Sequence, residues 1–267
     1  MPTVRPPAVA GMFYPAEARQ LAQEVQQLLA EARPFDLAPK ALIVPHAGYI
    51  YSGAIAATAY ATLHMIASRI RRVVLLGPTH RVAVRGLVLP GADAFDTPLG
   101  RVTLDAAGAR AIAHLPQVGV SAEAHALEHS LEVQLPFLQS VLPDFTLLPL
   151  AVGMASAEEV AEVLETVWGG EETLIVISSD LSHYLPYTTA QRVDNDTARS
   201  ILKLQQPIAH DHACGGTPIS GLIVAARKHR LAPHLLDLRN SGDTAGSHAQ
   251  VVGYASFAFT EEKSNVH

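Results

Sequence analysis

Three apolar runs in this chain each close on a histidine, and that repetition narrows the folds open to it. The runs read Ala41-Leu42-Ile43-Val44-Pro45-His46, Val73-Val74-Leu75-Leu76-Gly77-Pro78-Thr79-His80 and Leu174-Ile175-Val176-Ile177-Ser178-Ser179-Asp180-Leu181-Ser182-His183. Short β-branched segments stopped by Pro, Gly or Ser-Asp have the character of buried strands in a parallel sheet. Ligands of such sheets bind beyond the carboxyl ends of the strands. Three imidazoles far apart in sequence can therefore meet at one edge. The pattern points to a metal site, or to an acid–base site, on an α/β scaffold.

The rest of the chain alternates helical and extended segments around those runs. Apolar residues at helical spacing predict helices over about 16–32, 53–68, 106–115, 128–141, 157–167, 188–204 and 218–229. Extended runs predict strands at 41–44, 72–76, 146–150, 173–177, 235–238 and 251–259, with a hairpin-like excursion over 82–105. Neither a tandem repeat nor a domain linker interrupts this order. The expectation is one α/β/α domain over residues 1–267, built on a mostly parallel central sheet, with a frayed polar tail at about 261–267.

Composition limits what such a domain can do. The formal net charge of -6 and the absence of a basic block argue against a nucleic-acid surface, as do aromatic residues at only 6%. Nothing approaches twenty uninterrupted apolar residues, so no transmembrane helix is expected. The first residues lack the apolar core of a secretory signal, and the single cysteine suits a reducing cytoplasm.

Several segments carry candidate chemistry. His46 and His80 share a strand-Pro-His context, and a neutral imidazole held rigidly at a strand end is a good metal ligand. Asp180 and His183 lie three apart after the third run. They suit a general base with an orienting carboxylate, a pair of metal ligands, or in the case of Asp180 a helix cap. Glu128-His129-Ser130-Leu131-Glu132 reads as a helix start, with Glu128 and Glu132 on one face and a structural role for both. His125 is expected to be exposed, and His210-Asp211-His212 to be a solvated turn. Cys214, followed by Gly215-Gly216 before a helix, is expected at a helix N-terminus, where a thiol's pKa falls. Gly-rich phosphate loops, a Gly-x-Ser-x-Gly elbow and paired Cys-x-x-Cys are all missing, which removes support for nucleotide binding, α/β-hydrolase chemistry and structural zinc.

Together, Val9-Ala10-Gly11-Met12-Phe13-Tyr14-Pro15, Pro45-His46-Ala47-Gly48-Tyr49, Gly77-Pro78-Thr79-His80, Glu128-His129-Ser130-Leu131-Glu132-Val133-Gln134-Leu135-Pro136, Ser178-Ser179-Asp180-Leu181-Ser182-His183 and Asn240-Ser241-Gly242-Asp243 strongly resemble the Memo family (mediator of cell motility). The motifs span nearly the whole chain in family order. The family is similar in fold to the class III extradiol ring-cleaving dioxygenases, which hold non-haem Fe(II). The resemblance implies His46 and His80 as metal ligands, with Cys214 as the third where the dioxygenases use glutamate. It implies His183 as the acid–base histidine with Asp180 beside it, and His129 in the same pocket. A His-His-Cys set suits Fe(II), Cu or Zn. The resemblance further implies a non-haem iron oxidoreductase acting on a small-molecule or peptide substrate, with a radical-SAM system as partner. The alternatives are a peptide- or phosphopeptide-binding module and a zinc-dependent hydrolase.

Overall fold

Strand β2 (Pro39–Val44), strand β3 (Arg72–Pro78) and strand β9 (Thr173–Ser178) carry the three histidine runs, and they lie side by side with β9 in the middle. The computed structural model describes residues 3–261; the expected polar tail therefore falls, apart from Glu261, outside the described residues. The other strands are β1 (Val4–Arg5), β4 (Leu87–Leu89), β5 (Ala94–Thr97), β6 (Gly100–Thr103), β7 (Val118–Val120), β8 (Thr146–Val152), β10 (His183–Leu185), β11 (Leu231–Asn240) and β12 (Val251–Glu261). The helices are α1 (Ala18–Glu31), α2 (Tyr49–Ala61), α3 (Ala106–Ile112), α4 (Ala122–Ala126), α5 (Leu135–Val141), α6 (Ala157–Thr166), α7 (Tyr187–Leu202) and α8 (Gly216–Lys228).

Nine strands form the main sheet in the order β10-β12-β2-β9-β3-β8-β4-β7, with β11 paired to β12. Strands β2, β9, β3 and β8 are mutually parallel and make up its centre. The flanks differ from expectation: β12 runs antiparallel to β2, β10 and β11, and β4 antiparallel to β8. The sheet is thus mixed rather than mostly parallel. The last two strands, β11 and β12, pair as antiparallel neighbours, and β12 in turn joins the edge of the parallel centre antiparallel to β2.

Alternation along the central strands divides the core into two layers. Leu42, Val44, Val73, Leu75, Leu174 and Val176 pack with residues of α1, α2 and α5. Their neighbours Ala41, Ile43, Val74, Leu76, Ile175 and Ile177 pack with α3, α6, α7 and α8 on the opposite face. A period of two across strands buried on both sides gives this result, and explains why these segments read as continuous apolar runs.

Two expected segments resolve differently. The 82–105 excursion divides, with β4 joining the main sheet and the β5–β6 hairpin pairing with β1 in a small second sheet. The expected helix over 128–141 is irregular at its start, with a 3-10 turn at Glu132–Gln134 before α5. No helix among the described residues is long and apolar enough to cross a membrane.

Candidate metal centre

Register places the three histidine runs level with one another. Val44 pairs with Ser178 across β2 and β9, and Leu76 with Ile177 across β3 and β9, so all three strands end at one edge. His46 and His80 each follow their strand by two residues, and a third imidazole, His129, arrives on the irregular turn before α5. One ring nitrogen from each of His46, His80 and His129 lies within 4.8 Å of the others. Ring centroids are 5.2 Å apart for His46–His80, 5.4 Å for His46–His129 and 4.6 Å for His80–His129. Three imidazoles at this spacing can hold a metal ion.

The hydrogen bonds around them settle where the protons lie. Ser178 Oγ donates to the Ser130 carbonyl at 2.6 Å and accepts from Gln134 Nε2 at 2.8 Å. With its hydrogen already committed, that hydroxyl can only accept from His46 Nδ1, 2.9 Å away. His46 thus keeps Nε2 unprotonated and directed into the site. Gln134 is held in turn by donating to the Pro45 carbonyl and accepting from Tyr60 Oη. Burial keeps His46 well below the ordinary imidazole pKa, and the neighbouring rings of His80, His129 and His183 push the same way. Burial also lowers His129 to about 4, against the opposing charge of Glu128. Neutral imidazoles are the form that binds a metal.

Glu128, expected to be structural, is part of this arrangement. Its Oε1 accepts from His80 Nδ1 at 2.9 Å, and its Oε2 accepts the His80 backbone N–H at 2.6 Å. Burial would raise its pKa, but hydrogen bonds and charge from His80, with the backbone N–H groups of Ser130 and His80, outweigh burial and leave it at about 2. Glu132 goes elsewhere. It takes Arg5 Nη1 at 2.6 Å, Tyr14 Oη at 2.6 Å, and the N–H groups of Ala8 and Val9. The two carboxylates do not share a helical face, because residues 128–131 are not helical.

Cys214 stands beside the three rings. Its Sγ is 3.4 Å from His46 Nε2 and 3.7 Å from the Asp180 carbonyl, although it is not one of the three mutually close ligands. The expected fall in its pKa does not occur: burial, reinforced by the Asp180 charge, pushes the thiol up to about 12. At that value the thiol keeps its proton, and the Asp180 carbonyl accepts it. The flanking glycine is required by space, since a Cβ on Gly215 would lie 2.6 Å from Ser179 Cβ.

Asp180 is buried, and its Oδ1 accepts the His46 backbone N–H at 2.7 Å. Burial raises its carboxyl to about 7, while the N–H groups of His46 and Ala47 and the charge of His80 oppose the rise. Its carboxyl group therefore orients the His46 turn. His183 opens β10 and is lowered by burial. His125 corrects another expectation. It is buried, its Nε2 is 2.8 Å from the Val88 carbonyl, and burial lowers it to about 4 against that carbonyl's pull. His210, Asp211 and His212 are exposed in a turn, as expected.

The N-terminal motif closes over His129. Phe13 packs on that ring at 4.8 Å between centroids, and the Phe13 carbonyl accepts Tyr49 N–H at 2.8 Å.

Comparison with known proteins gives consistent results. A family described as Memo-like protein matches residues 5–258. A MEMO1 family protein of Aquifex aeolicus (strain VF5) is 37% identical over 269 residues, covering 96% of this chain and 99% of the relative. A MEMO1 family protein of Methanosarcina barkeri is 35% identical over 267 residues, covering 95% and 98%. Among solved structures, an uncharacterized protein, JW3007, from Escherichia coli K12 shares the fold. Its TM-score is 0.55 at 17% identity, covering 81% of this chain and 98% of that one.

Proposed function

The chain belongs to the Memo-like protein family, and from that premise we propose that it is a metal-dependent oxidoreductase with Fe(II) held at the edge of its central sheet. The observation that carries the reading is the convergence of His46, His80 and His129, with one nitrogen of each inside 4.8 Å. These residues fit such an ion. Burial keeps the His46 and His129 rings neutral, and His46 and His80 each have Nδ1 committed to a fixed acceptor. Cys214 Sγ, 3.4 Å from His46 Nε2, is a fourth donor available once its proton is lost. When bound, the metal would supply a Lewis-acidic, redox-active centre.

The remaining work falls to the protein. His183, kept neutral by burial, accepts a proton from a substrate hydroxyl and returns it. Asp180 fixes the His46 backbone, and Phe13 shields His129 from solvent.

Anaerobic purification followed by elemental analysis tests the reading. The expected result is near-stoichiometric iron, lost in His46→Ala. Full metal content in that variant would overturn the site. Stoichiometric zinc in place of iron, with no oxygen uptake on any phenolic substrate, would move the assignment to hydrolysis.

A further inference from the structure

Glu128 contacts the candidate metal centre at more points than metal binding alone requires. Besides its two contacts with His80, its Oε1 accepts the backbone N–H groups of His129 and Ser130, each at 2.9 Å. The same oxygen lies 3.4 Å from His129 Nδ1. One carboxylate thus reaches the backbones of two histidines and the rings of both, and its side chain is only 1% exposed.

Both Glu128 oxygens already accept backbone N–H groups, so the carboxylate faces His80 Nδ1 as an acceptor, which places the ring proton on Nδ1 and leaves Nε2 free for a metal. His46 obtains the same tautomer from a hydroxyl, Ser178 Oγ. A carboxylate behind an imidazole also makes the ring a stronger donor, which a hydroxyl does only weakly. The turn holding Glu128 is secured from its far side. Arg5 donates Nη2 to the Glu128 carbonyl at 2.6 Å and Nε to the His125 carbonyl at 2.7 Å, while its Nη1 pairs with Glu132. A residue near the start of the chain therefore fixes both ends of the segment that presents Glu128 and His129.

We propose that Glu128 is the positioning residue of this centre: its one carboxylate sets the tautomer of His80 and the placement of His129, and Arg5 braces the turn that carries it. The proposal rests on the metal-binding reading above. Glu128 does not itself act on substrate.

The test uses the full chain and Zn(II) as a redox-inert probe. In metal-free wild-type protein, ¹⁵N spectra of labelled histidine should show His80 as the Nδ1–H tautomer; an Nε2–H tautomer would overturn the proposal. In Glu128→Gln, Zn(II) affinity measured by calorimetry should fall on the order of 10- to 100-fold. A folded Glu128→Gln protein with wild-type Zn(II) affinity, whatever its thermal midpoint, would also overturn it. If that variant does not fold, the wild-type tautomer alone decides. If wild-type protein binds no Zn(II) and no iron, the metal reading fails, and the tautomer still reports on Glu128.

Discussion

Gly77→Ala should damage the candidate metal centre without touching any of its ligands. Gly77 lies near the end of β3, where the turn bearing Ser130 and Leu131 packs directly on the strand. A Cβ built there would meet Ser130 Oγ at 2.8 Å, Leu131 Cδ2 at 3.0 Å and Ser130 Cβ at 3.2 Å. Ordinary contact begins at 3.4 Å, so the turn must retreat by the difference between 3.4 and 2.8, about 0.6 Å. Ser130 cannot simply rotate away, because its Oγ donates to the Pro78 carbonyl at 2.9 Å and its own carbonyl accepts from Ser178 Oγ. Overpacking of this kind costs about 1–3 kcal/mol. For a chain of this size that corresponds to roughly 2–12 °C in Tm. Because Ser130 N–H also binds Glu128, the retreat pulls Glu128 and His129 away from His80, and metal affinity should fall about tenfold. Thermal unfolding and calorimetric Zn(II) titration read the two effects. Adding Ser130→Ala to Gly77→Ala removes the closest clashing atom, so the double variant should be more stable than the sum of the single changes predicts. A Gly77→Ala protein with unchanged Tm and unchanged Zn(II) affinity would refute the packing argument.

Other consequences are simpler to state. His125 is neutral and buried, with its pKa lowered from 6.5 to about 4. The unfolded chain therefore binds more protons between those values, and stability present above pH 6.5 is lost as pH falls toward 4, by about 3 kcal/mol from this group. Denaturant midpoints from pH 7 to 4 should show the loss, and His125→Gln should make it smaller by this group's share, leaving the contributions of His46, His129 and His183. Arg5→Met leaves Glu132 buried and short of its cation, which should cost about 3–5 kcal/mol in chemical denaturation. A destabilisation below about 1 kcal/mol would mean that the N-terminal segment contributes little to the brace. Cys214, with its thiol at about 12, should react with iodoacetamide at pH 7 on the order of a thousandfold more slowly in the folded, metal-free protein than after denaturation. Equal rates would place the thiol in a different environment.

His46 and His80 were legible because strand ends are local events. A β-branched run stopped by Pro or Gly needs no tertiary information to be recognised, and a parallel sheet brings such ends to one edge. The two-layer core was legible for the same reason, since period-two alternation in buried strands is written into the sequence. Glu128 was not legible. A Glu-His-Ser-Leu-Glu stretch carries helical spacing, and only the departure of residues 128–131 from helix sends Glu128 to His80 and Glu132 to Arg5. The antiparallel flanks of the sheet escaped for a similar reason, because strand direction depends on which partner a strand finds rather than on its own residues.

Cys214 marks the same boundary in electrostatics. Helix proximity alone predicts a lowered thiol pKa, but burial and the Asp180 charge reverse it, and both depend on residues far away in sequence. The three apolar runs ending in histidine fixed on their own where ligands could gather. Which imidazoles meet, which nitrogen each presents and which carboxylate holds them were decided by the tertiary structure. Those properties depend on distances of a few ångströms between segments that share no local signal.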